Sequence, residues 1–241
     1  MSACIIPKVI DKLYPGITEV FVKPELLKAF FFPLFSFNHE GQIFHMIAVP
    51  GLFNDEEQRQ QNAELSFFGF SRNQNSKYDF LGNLSIFQNY QEVPELYEKL
   101  SQDWLLNKDR YYQQKTKVED YILALDLDEV TKMKFETYIS DFYGYQMVKL
   151  NWERTERFET LMSMTESWGN LDVLEFISDN EAVEEFFMNR QYNLKFNYDL
   201  TPEMMIGGTD KYEFLSVING GTNFIFWDSK KDIVYLLEYY S

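Results

Sequence analysis

Cysteine is almost absent: Cys4 is the only one in 241 residues. That excludes an intrachain disulfide and every Cys-x-x-Cys metal or redox site. A chain without disulfides fits a reducing compartment, and the cytoplasm is the expected location. Cys4 lies in "SACIIP" beside apolar neighbours, so a buried or idle thiol is expected rather than a nucleophile. Histidine is nearly as scarce. His39 and His45 show neither His-x-His nor His-x-x-x-His spacing, so neither is read as a metal ligand. No G-x-S-x-G elbow is present to support a serine nucleophile. The paired glycines of "MIGG" (205–208) and "NGG" (219–221) lack the third glycine of a dinucleotide fingerprint and the Gly-Lys-Ser/Thr of a phosphate loop. Both are expected to be turns.

Long apolar runs are missing as well. "AFFFPLF" (29–35) is too short to span a bilayer. The opening "MSACIIPKVIDKLYPG" has no charged leader followed by a long apolar segment, so no signal peptide is expected. Positive charge is also in short supply. Twenty-two Lys and Arg face 38 Asp and Glu, for a net charge of −16. Such a surface repels phosphate backbones and anionic lipid, which argues against nucleic-acid and membrane partners and favours a basic protein partner. The plainer reading is that acidity keeps an aromatic-rich chain soluble.

What the chain does have is apolar and aromatic mass. Apolar residues make up 45% and Phe, Trp and Tyr 18%, enough for a large core with tyrosines left over for a recognition surface. Residues 1–92 read as strand-rich. "ITEVFV" (17–22) alternates weakly, and "PELLKAFFF" opens with Pro24 at the first position of a short helix. "PLFSF" and "QIFHMIAV" flank Asn38-His39-Glu40-Gly41 as a hairpin. "ELSFFGF" and "NLSIFQNY" supply two further strands, separated by polar loops.

Residues 93–190 read as helical. Pro94 opens a helix with Leu96, Leu100 and Trp104 at four-residue spacing. "KVEDYILAL", "KFETYISDFYG" (closed by Gly144), "RFETLMSMTESW" and "NEAVEEFFMNR" supply the others. In "LDLDEV" the acids are expected to cap the following helix. Residues 191–241 return to strands at 192–198, 213–218, 222–228 and 233–240, turning at Asn219-Gly220-Gly221 and at Ser229-Lys230-Lys231-Asp232. The expected fold is therefore α+β: a mainly antiparallel sheet, with strands from both chain ends, packed on a central helical block. One domain, 1–241, is expected, with 1–92, 93–190 and 191–241 as its subdivisions.

The sharpest charge feature spans residues 166–185. Glu166, Asp172, Glu175, Asp179, Glu181, Glu184 and Glu185 stand there without a single Lys or Arg. On a helix from residue 180 the last three face away from Val183, Phe186 and Phe187. The segment reads either as a solvated face or as a docking surface for a basic partner, with Trp168 as its aromatic anchor. No catalytic residue, metal or cofactor is assigned. The alternatives are an enzyme with a carboxylate cleft built on Asp126, Asp128 and Asp228, or a structural interaction subunit.

The ending "EFLSVINGGTNFIFWDSKKDIVYLLEYY" resembles the closing hairpins of the SUKH superfamily. Its Gly-Gly turn, its strand ending in Asp and its strand opening Val-Tyr match Gly220-Gly221, Asp228 and Val234-Tyr235. The resemblance implies an immunity protein that neutralises a bacterial toxin, by occlusion and without catalysis. "YDFLGNLSIFQNYQEVPEL" (78–96) is similar to the Phe-Leu-x-Gln-Ile strand and proline turn of YwqG-like bacterial proteins, with Asn83 where Gln is usual.

Overall fold

The structure, a computed structural model, describes residues 5–52, 67–114, 120, 122–123, 125–161, 164, 174–178, 200–210, 214–215 and 221–239. It is α+β, with two antiparallel sheets; two short helices interrupt the first sheet in sequence, and the longer helices fall between the strands of the second. Strands β1 (Ile10–Leu13), β2 (Phe32–His39) and β3 (Gln42–Ala48) form the first sheet in that order. β4 (Phe67–Arg72), β5 (Tyr78–Phe80), β6 (Met205–Asp210), β7 (Thr222–Asp228) and β8 (Ile233–Tyr239) form the second, ordered β5-β4-β8-β7-β6. Strands from both halves of the chain thus share one sheet, because β4 pairs with β8.

The β2–β3 hairpin follows the local signal. His39 pairs with Gln42, leaving Glu40 and Gly41 as the loop, both at positive φ (+50° and +79°). That mirror-image turn matches the twist of the strands. Asn38 Oδ1 accepts the Gly41 N–H at 3.0 Å. Pro33 lies in the central strand, where a proline cannot donate to a ladder. A register shift between Pro33 and Phe35 accommodates it, and its carbonyl accepts the Tyr145 hydroxyl at 2.8 Å.

Helices among the described residues include α1 (Ile17–Val20), α2 (Pro24–Leu27), α3 (Val93–Gln114), α4 (Glu129–Lys134) and α5 (Glu136–Thr155). Pro24 starts α2, and Asp128 caps α4 by accepting the Thr131 N–H at 2.9 Å, as the sequence leads one to expect. α5 is buried on most of its circumference, including Tyr138, Ile139, Phe142, Tyr143 and Tyr145. Its tyrosine hydroxyls find partners across the core: Tyr138 donates to the Ala29 carbonyl at 2.8 Å, and Tyr143 to Asp103 at 2.6 Å. Around Phe31 the rings of Phe68, Phe70, Phe80 and Phe87 lie at centroid distances of 5.2–5.9 Å, mostly edge-on.

Several local expectations fail for tertiary reasons. Residues 17–20 form a helical turn and not a strand, because the Glu19 carboxylate takes the Gly16 N–H and the Lys12 ammonium. "NLSIFQNY" holds a 3₁₀ turn at Leu84–Ile86, with Asn83 accepting the Ser85 N–H at 2.9 Å. Gly144 does not end its helix, which runs on to Thr155 and closes at Glu156 with φ +53°. The cost of a mid-helix glycine, about 1 kcal/mol, is overridden by burial along α5. In "RFETLMSMTESW", residues 157–160 are not helical, while Leu161 and Met164 are.

The largest correction concerns β7. Its partner besides β8 is β6, so "MIGG" is a strand and not a turn. A Cβ on Gly207 would sit 2.7 Å from the Phe176 ring, and one on Gly208 would sit 2.8 Å from the Phe224 ring. These glycines therefore make room for aromatic rings. Phe214 and Leu215, expected within a strand, lie in a turn and are fully buried. Phe214 packs on Tyr14, Phe35 and Phe158. The expected strand at 192–198, the helix from residue 180 and most of "KVEDYILAL" fall outside the described residues, although Asp120, Ile122 and Leu123 are helical.

Candidate binding groove

A hollow of about 660 Å³ lies between α2, the Phe80–Leu84 turn and the start of α3. Leu26, Phe30, Phe80, Leu84, Tyr90 and Pro94 line it. Two helix starts therefore wall this groove, and each carries a proline, Pro24 in α2 and Pro94 in α3. Proline has no N–H, so these starts offer fewer free donors than an anion-binding helix terminus does. The wall is apolar instead. The Phe80 ring lies across Gly82, where a Cβ would meet it at 2.5 Å.

The rim is charged but internally matched. Lys23 meets Asp79 at 2.9 Å. Across the exposed Leu26 lies a second hollow of about 340 Å³, bordered by Lys28, Ala29, Tyr97 and Glu98. Lys28 sits between Glu25 (2.7 Å) and Glu98 (2.9 Å), and these carboxylates push its ammonium above the usual lysine range. Leu26, which lines the groove, is exposed. An apolar floor with a paired rim suits a partner's apolar side chain, because the rim charges are already matched.

Of the residues expected to bind a partner, only Glu175 is described; Glu166, Trp168, Asp172, Asp179, Glu181, Glu184 and Glu185 lie outside the described residues. Glu175 is exposed on a segment that joins the β6 edge through a two-way backbone bridge between Ile177 and Gly208. Burial of its carboxyl and the neighbouring Asp210 push its pKa up. The carboxylates of the alternative cleft are not assembled into one. Asp128 caps α4, and Asp228 accepts the Lys230 and Lys231 N–H groups at 3.0 and 3.2 Å. Asp126 is exposed.

Among the described residues no three His, Cys, Asp or Glu side chains are grouped to hold a metal ion. His39 lies edge-on to Phe44 and Trp227. His45 is buried, with Nδ1 2.8 Å from the Ser36 hydroxyl and the ring edge-on to Tyr78 at 5.2 Å. Its backbone N–H donates to the Tyr78 hydroxyl at 2.8 Å. Burial pushes the imidazole down to about 4; the Ser76 backbone and the Glu19 charge oppose that shift only in part.

The two sheets are tied by polar contacts that no local pattern announces. Arg72 of β4 donates from Nε to Asp232 at 2.9 Å, bonds Gln42, and stacks its guanidinium over Phe44 at 4.4 Å and Trp227 at 5.3 Å. Asn223 of β7 donates to the Ile47 carbonyl at 2.9 Å. The groove, for its part, combines residues 23–30 with 79–94. The two prolines at helix starts are the only sequence signal that points to it.

No family model matches this chain, and neither a curated protein nor a solved structure does. Among the described residues, no helix is long and apolar enough to cross a membrane.

Proposed function

We propose that this protein is a non-catalytic, acidic binding module that occludes a basic protein partner, with a basic bacterial toxin such as a nuclease as the partner class. The carrying observation is an apolar groove of about 660 Å³ with a charge-matched rim on a chain of net charge −16. The long-range field steers a basic partner toward the surface, and the groove supplies a desolvated anchor site. The likeness of the closing strands to SUKH immunity proteins favours the same reading, since Asp228 ends β7 and Val234-Tyr235 lies at the start of β8. Glu175 and the other acids of residues 166–185 are the proposed steering face.

The test is co-expression with the product of the neighbouring gene, followed by association kinetics at low and high salt. Steering predicts an association rate that falls steeply with salt. L26D should weaken the complex by raising the dissociation rate, whereas reversing Glu181, Glu184 and Glu185 to Lys together should slow association. If no complex forms at low salt, the reading is wrong.

A further inference from the structure

A third hollow, of about 500 Å³, opens where β1 meets the end of α5. Lys12, Leu13, Tyr14, Trp152, Glu153 and Glu156 line it. Leu13 and Tyr14 are buried and form its apolar floor, and the half-buried Trp152 adds an indole. Tyr14 is fixed by edge-on contacts with Tyr145 at 5.8 Å and Phe214 at 5.9 Å. The end of α5 sets the acids. Glu156 closes the helix at φ +53°, its N–H bonded to the Trp152 carbonyl at 2.9 Å, so Trp152, Glu153 and Glu156 come from one tight turn.

The charges around this hollow are unbalanced. Among the described residues Lys12 is its one lining cation, and its ammonium is held by both Glu19 oxygens at 2.7 and 2.8 Å. Glu19 is itself locked by the Gly16 N–H, and these bonds lower its pKa. Arg154 is bonded to Asp109 and stacked over Tyr112 at 4.6 Å, and Lys149 lies over Tyr145 at 5.9 Å. Among the described residues Glu153 and Glu156 meet no cation, and none sits over the Trp152 ring. A half-buried indole and two exposed glutamates thus line one opening.

We propose that this hollow binds a guanidinium group, an arginine side chain of the basic partner, stacked on Trp152 and bonded to Glu153 and Glu156. A guanidinium is flat, weakly hydrated and carries five donors, so it can stack on an indole and serve two carboxylates together. An ammonium does only the second well. As a partner contact the proposal rests on the binding-module reading above, but its test does not need the partner.

The probe is N-acetyl-arginine amide, titrated into the full chain while the Trp152 indole N–H resonance, assigned with W152F, is followed by NMR. A saturable shift is expected. N-acetyl-citrulline amide, a neutral isostere, and the E153Q/E156Q double variant should each weaken binding about tenfold, and N-acetyl-lysine amide should bind several-fold more weakly than arginine. The absence of a saturable shift, equal binding of citrulline or lysine, or unchanged affinity in E153Q/E156Q would each overturn the proposal. A partner complex that forms normally with E153Q/E156Q overturns the arginine contact and leaves the binding module standing. A saturable arginine shift in a chain with no partner complex does the reverse.

Discussion

Acidification should destabilise this protein through His45. The ring is 5% exposed and lies against Ser36 and Tyr78, where burial lowers its pKa from 6.5 to about 4. The unfolded chain takes up a proton near pH 6.5 and the folded chain does not until about pH 4. Stability is therefore complete above the unfolded pKa and is lost as pH falls across that window. At about 1.4 kcal/mol per pKa unit, the full loss is about 3 kcal/mol, of which about 2 kcal/mol falls between pH 7 and pH 5. Charged groups elsewhere also titrate, so the measurement is a difference. Urea unfolding of wild type and His45→Asn at pH 7, 6 and 5 isolates the ring. Asn places an amide atom near Nδ1, keeps a partner for Ser36, and carries no charge at any of these pH values. Wild type should lose about 2 kcal/mol more than the variant over this range. Parallel losses in the two proteins would refute the reasoning, because His45 would then titrate alike in the folded and unfolded chain.

Two further outcomes test the packing. Gly51 has φ +36° and would place a Cβ 2.5 Å from the Tyr138 backbone nitrogen, while its N–H bonds Asp141 at 2.8 Å. Gly51→Ala should cost about 3 kcal/mol or prevent folding, read by thermal and urea unfolding; a loss under about 1 kcal/mol would contradict the geometry. Phe31 is fully buried among five other phenylalanines, so Phe31→Ala should cost about 3–5 kcal/mol, whereas removing the exposed Lys23–Asp79 pair with K23A should cost under about 1 kcal/mol.

The polar ties show how two sheets hold one register relative to each other. Apolar rings pack in more than one arrangement, but a buried donor or acceptor has few places to go. Arg72 bridges β4 to Gln42 of β3 and to Asp232 beside β8, and Asn223 reaches the β3 carbonyl of Ile47. Glu238 of β8 accepts the Val49 N–H at 3.0 Å just past β3. Arg72, Asn223 and Glu238 each belong to the second sheet and reach a partner on or just past β3 of the first. Shifting either strand by one residue would turn these side chains to the opposite face.

Features whose cause lies within a few residues were legible in the chain. The β2–β3 hairpin follows from two β-prone runs around a turn that Gly41 permits. Pro24 and Pro94 mark helix starts, Asp128 caps α4, and the turn at residues 229–232 joins β7 to β8. Near-neighbour backbone geometry and periodic burial suffice for each of these. The acidity of the surface is likewise a property of composition. Tertiary structure decided the remainder. Gly207 and Gly208 carry the local mark of a turn, but rings from Phe176 and Phe224 take the space of their side chains and make a strand of them. Phe214 and Leu215 have strand-like composition, yet they are buried in a turn. Gly144 gives way to the packing around α5. The apolar groove and the Trp152 hollow join residues far apart in the chain, so only the packing of helices on sheets brings their walls together.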